Sequence, residues 1–155
     1  MRYWIAACVV ALASAGCANK NAVETTTGKG EAQTSLDAPD LEQLMKKIGP
    51  TYQSLRKNLQ DNGTDAAAKD AQQLGDLFGG VEKFWEQHKK PDALKLAGQA
   101  RTAATETAGA AAAGDATKAA AAAENMGGAC KQCHGTYRES DGQGGYRIKP
   151  GVLTR

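Results

Sequence analysis

The chain has 155 residues, with 19 Lys and Arg against 17 Asp and Glu and only 5% aromatic residues. That length suits a single domain with a core of its own. The near-neutral charge excludes the basic footprint of a nucleic-acid-binding protein.

At the start, MRYWIAACVVALASAGC carries Arg2, an apolar run from about Tyr3 to Leu12 and small residues at Ala13-Ser14-Ala15-Gly16. This is the pattern of a secretory signal, and the run is too short to span a membrane comfortably. Cleavage before Cys17, as in bacterial lipoproteins, would leave that cysteine as the lipid-bearing first residue of a periplasmic, membrane-anchored protein. Ala15, Gly16 and Cys17 fit the lipobox, whereas Ser14 stands where Leu is usual. The competing cut, after Ala15, would release a soluble periplasmic protein. Export removes Cys8 and sets Cys17 at the new terminus, so Cys130 and Cys133 are the cysteines of the folded part.

Residues 18–38 are rich in Thr, Lys, Glu and Gly, with scarcely a large apolar side chain. They read as a disordered tether. From Asp40, apolar residues recur at helical spacing as Leu41, Leu44, Met45, Ile48, Tyr52, Leu55 and Leu59, with Pro50 inside the pattern as the place for a kink. Asp61-Asn62-Gly63-Thr64-Asp65 combines a glycine stop with a Thr or Asp cap for a second helix. That helix carries Leu74, Leu77, Phe78, Val81, Phe84 and Trp85 up to the charged break His88–Asp92, where His88 is expected to be exposed. A third helix runs from Ala93 to about Ala113, and a fourth from Ala116 to about Glu139 with Ala119, Ala122, Met126, Cys130, Cys133 and Tyr137 on one face. No strand signal is present.

Four amphipathic segments joined by short connections predict an all-α, antiparallel four-helix bundle over residues 39–140. Its third and fourth helices are so rich in alanine that they permit close approach yet supply little apolar area per residue. A bulky apolar group would fill the remaining space.

Residues 127–138 read GGACKQCHGTYR. On a helix, Cys130, Cys133 and His134 emerge from neighbouring positions. C-x-x-C-H is the attachment pattern of c-type haem: the two thiols add to the vinyl groups and the histidine supplies the proximal iron ligand. Other readings compete. A redox dithiol normally opens a helix after a strand, a context missing here. A zinc site wants a second pair of ligands, and the only other histidine is His88. Gly127 and Gly128 read either as room for close approach of a porphyrin or as a local irregularity.

A four-helix bundle with this motif on its last helix resembles the cytochrome c-prime family, including its low-spin, Met-ligated members. The likeness covers about residues 39–139 and rests on Leu44-Met45, Phe84-Trp85 and CKQCHGTYR with Arg138 four residues after the histidine. The resemblance implies one covalent haem c, Met45 on the distal side as a sixth iron ligand, and Leu44, Ile48, Tyr52, Tyr137 and Arg138 as haem neighbours. It implies electron transfer with other redox proteins rather than catalysis, and homodimerisation through the first two helices. If Met45 only leans over the ring, the same frame implies a five-coordinate iron open to nitric oxide or carbon monoxide. Met126, on the helix of the motif itself, reads as core. A basic residue common in the family four positions before the distal methionine is Leu41 here. A peroxidase role is not expected, since no distal acid-base histidine is apparent. The tail, residues 141–155, reads as a strap folded back on the bundle, with Lys131, Arg138, Arg147, Lys149 and Arg155 forming a basic rim for an acidic partner.

Overall fold

A computed structural model describes residues 36–153 of the chain. The predicted export segment with Cys17, the tether through residue 35, and Arg155 lie outside the described residues. Four helices, α1 (Ala38–Gln60), α2 (Thr64–Gln87), α3 (Pro91–Ala112) and α4 (Ala116–Tyr137), form the all-α four-helix bundle, followed by a short hairpin of β1 (Arg138–Ser140) and β2 (Tyr146–Ile148). None of the described helices is long and apolar enough to cross a membrane.

The helix α1 starts two residues before the expected Asp40, because Asp37 and Asp40 cap each other. The Asp37 carboxylate accepts from Asp40 N at 3.2 Å, and Asp40 accepts from Asp37 N at 2.8 Å. The residue before Asp37 is also held: Gln87 of α2 bonds both the N–H and the C=O of Leu36, at 2.9 and 3.0 Å. The end of the expected tether is therefore part of the fold. Helical structure continues through Pro50. The preceding Gly49 has no Cβ to conflict with the proline ring, which lets helical backbone run up to it.

Three consecutive helices stop in the same way. Asn62, Lys89 and Gly114 each take a positive φ, of 55°, 53° and 75°. In each case that residue's own N–H and the next one turn back to the carbonyls of the last turn, as in Gly63 N to Asn58 O at 2.8 Å and Lys90 N to Trp85 O at 3.1 Å. The stop after α1 is thus Asn62 rather than Gly63, which serves instead as the N-cap of α2 without a side-chain bond. Asp115 caps α4 by accepting from Lys118 N at 2.9 Å.

These three-residue turns lay the helices antiparallel in sequence order. Leu55, Leu74, Phe84 and Met126 are fully buried, and Trp85 is 2% exposed. Trp85 packs edge-on to Phe84 at 4.9 Å and against Tyr137 at 5.1 Å. The α3 and α4 faces meet through alanines such as Ala97, Ala104, Ala119 and Ala123, which lets those helices pack closely. Contact is extensive from α1 to α2, α2 to α3 and α3 to α4, but sparse between α1 and α4. The bundle therefore has one thinly closed seam.

Helix α4 ends at Tyr137, two residues short of the expected end, because Arg138 turns into extended backbone and pairs with Ile148. The strands missed in the sequence are three residues each, too short to show alternation. Asp141 organises the intervening turn, accepting from Gln143 N at 2.7 Å and Gly145 N at 2.9 Å. Those bonds hold its carboxyl below the ordinary range. Lys149 then closes α4 by donating through Nζ to Gly135 O and Thr136 O.

Of the three stops, only Lys89 has a long side chain in the left-handed region, where an L-residue costs about 1–2 kcal/mol. Lys89→Gly is expected to raise the unfolding free energy by about 0.5–1 kcal/mol after the greater freedom of the unfolded glycine is counted. The check is a higher urea midpoint at unchanged slope.

Candidate functional site

Met126, Cys130, Cys133 and Tyr137 follow each other along α4 at spacings of four, three and four, so they share a stripe. Met126 is fully buried, as core, while Cys130, Cys133 and His134 are half-buried. Across the seam, Met45, Ile48 and Tyr52 form the matching stripe of α1.

Two hollows flank the motif. One is a small, almost wholly apolar cavity of about 40 Å³ lined by Met45, Ile48, Phe78, Cys130, Cys133 and His134 among others. The other is an open cleft of about 540 Å³, with Tyr52, Cys130, Lys131, His134, Arg138 and Tyr146 on its walls. Cys130 and His134 line both. A third cleft, of about 630 Å³, lies between α3 and α4 beside Glu106 and Glu124 but is lined by none of Cys130, Cys133 and His134. Size alone does not mark the chemistry.

The structure thus brings Met45, Ile48 and Tyr52 together with Cys130, Cys133, His134 and Arg138. Two expected neighbours stand elsewhere. Leu44 points at α2, its methyl carbons where a Cβ on Gly80 would come within 3.1 Å, and Tyr137 lies against Trp85. His88 is half-buried rather than exposed: its ring sits 4.4 Å from that of Phe84 and its Nε2 lies 3.1 Å from Leu36 O. It lines neither hollow around the motif.

Gly127 makes room for a side chain of α1. A Cβ there would collide with the Tyr52 hydroxyl, which donates to Ala123 O at 2.9 Å. Gly128 meets nothing within 4 Å of its missing Cβ. Neither the tyrosine contact nor the role of Gly127 could be found from helical periodicity, because it depends on which residue of α1 faces which turn of α4.

The electrostatics separate the readings of the cysteine pair. Burial pushes the Cys130 thiol up, and burial followed by the neighbouring Cys130 pushes Cys133 up to about 11. Both are free thiols, and both lie in the last turns of α4, far from the N-terminal dipole that activates a dithiol. Burial, then Arg138, lowers His134, which leaves its imidazole neutral and its lone pair available near pH 7. Among the described residues no group of three or more His, Cys, Asp and Glu side chains is arranged to hold a bare metal ion. The donor set is therefore two protonated thiols and a neutral imidazole between an apolar cavity and an open cleft of mixed polarity. Such a set fits an amphipathic planar cofactor joined through thioethers, and the cleft has a volume ordinary for cofactor sites.

The basic rim is less free than its composition predicts. Arg147 pairs with Glu139 at 2.8 Å, Lys149 closes α4, and the Arg138 guanidinium stacks 3.9 Å over the ring of Tyr146. The tail does fold back: Ile148, Val152 and Leu153 pack on the core, and Ser140 and Tyr146 border the cleft. No protein-family model, curated protein or solved structure matches the chain.

The thiol environment has a kinetic consequence. In protein made without haem, iodoacetamide at pH 8 should alkylate Cys133 about a hundredfold more slowly than a free cysteine peptide, since so little thiolate is present. The rate should climb toward pH 11 as that thiolate forms. A rate equal to the peptide's would contradict a buried, protonated Cys133.

Proposed function

We propose that this chain is an exported, periplasmic monohaem c-type cytochrome of the c-prime kind, anchored by a lipid on Cys17 and carrying single electrons between redox proteins. One juxtaposition carries the reading: Cys130, Cys133 and His134 share an apolar cavity inside the bundle with Met45 of α1.

Each residue has a role suited to its surroundings. Cys130 and Cys133 would hold the group by adding their Sγ–H bonds across its two vinyl groups, which needs no oxidant. His134 would supply a neutral imidazole to its iron, and Met45 would supply a thioether from α1. Ile48, Phe78 and Val81 keep water from the apolar side. Lys131 and Arg138, on the cleft, give the cofactor's carboxylates a cationic edge. Haem held there supplies a one-electron iron couple, whose potential the chain tunes through the axial pair and the dryness of the pocket.

The absorption spectrum of the reduced protein, with and without carbon monoxide, tests this reading. The wild type is expected to be low-spin and to admit the gas only slowly, as Met45 gives way to it. Met45→Ala should turn the iron high-spin and let the gas bind. A wild type that binds carbon monoxide at once would move the assignment to the five-coordinate, gas-binding alternative.

A further inference from the structure

Tyr52 is where α1 and α4 are joined. Its hydroxyl donates to Ala123 O at 2.9 Å, and among the described residues no other hydrogen bond links these two helices. Gly127 makes the approach feasible: a methyl group there would strike the hydroxyl and stand 3.3 Å from Cζ.

The position of this contact along the seam matters more than its strength. Met45 stands seven residues before Tyr52 on α1, and Cys130 seven residues after Ala123 on α4. Because the helices run antiparallel, both steps lead the same way along the bundle by two turns, about 10 Å. They converge on the same apolar cavity. Helix α1 is continuous from Met45 to Tyr52, through Gly49 and Pro50, so a displacement at Tyr52 is passed along it toward Met45. On its other side α1 packs on α2, and it approaches α4 at few points.

We propose that Tyr52, seated over Gly127, is a positioning residue that sets the width of the α1–α4 seam and thereby the distance from Met45 to iron held by His134. This rests on the cofactor reading above. The glycine and the tyrosine form one device, since the small residue is required by the hydroxyl rather than by the backbone.

The test is a double-mutant cycle on the haem-loaded protein, read as the rate of carbon monoxide binding to the reduced form. Tyr52→Phe keeps the ring and removes the bond, and should change that rate about tenfold, the size that the net value of one hydrogen bond supports. Gly127→Ala should change it more, by driving the hydroxyl off its seat. Combining the two should bring the rate back toward that of Tyr52→Phe, because the phenylalanine has no hydroxyl to collide. Such a rescue is not expected of damage to the fold, and helical circular dichroism confirms that each variant is folded. Rates within twofold of wild type in all three folded variants would overturn the proposal while leaving the cofactor reading intact. A wild type without covalent haem would overturn both.

Discussion

The architecture depends on an asymmetry in packing. Three of the four neighbouring helix pairs close through extensive contact, whereas the backbones of α1 and α4 come close at few points. The methyl groups of alanine let α3 and α4 approach each other closely. At one level Tyr52 spans the distance and hydrogen-bonds Ala123. Two turns away, where a bulky residue would be needed to finish the core, the chain presents two thiols, an imidazole and a methionine instead.

That exchange of core for chemistry also accounts for the state of the site's residues. Thiols that are buried without a cationic neighbour stay protonated, and a histidine beside Arg138 stays neutral. Neither condition suits a dithiol that shuttles between oxidised and reduced forms. Both suit groups that are to be consumed in permanent bonds or used as a neutral ligand. The hairpin that follows adds the outer wall: Asp141 fixes its turn, Lys149 seals the last turn of α4, and Tyr146, 60% exposed, carries Arg138 on its ring at the mouth of the cleft.

Much of this was legible in the sequence, for identifiable reasons. Leu41, Ile48 and Leu55 repeat every seven residues and are all buried, so the inner face of α1 follows from period alone. The short connections fixed the antiparallel order, and C-x-x-C-H marked the site by spacing. What escaped was whatever depends on a partner far along the chain or on one local angle. Asn62 rather than Gly63 takes the left-handed turn, although both residue types can adopt it. His88 is drawn in by Leu36, fifty-two residues away. Gly127 answers to Tyr52, and Leu44 turns to Gly80, because helix rotation and not periodicity decides which member of an apolar pair faces the seam. The hairpin was missed because three-residue strands carry no pattern.

The central claim is covalent attachment at Cys130 and Cys133, and intact mass measures it most directly. Protein exported from a host with cytochrome maturation machinery should be coloured and should carry the mass of one haem, which survives denaturation and is lost when both cysteines are replaced by serine. Colourless material at the mass of the processed chain alone, with any lipid accounted for, would contradict the account.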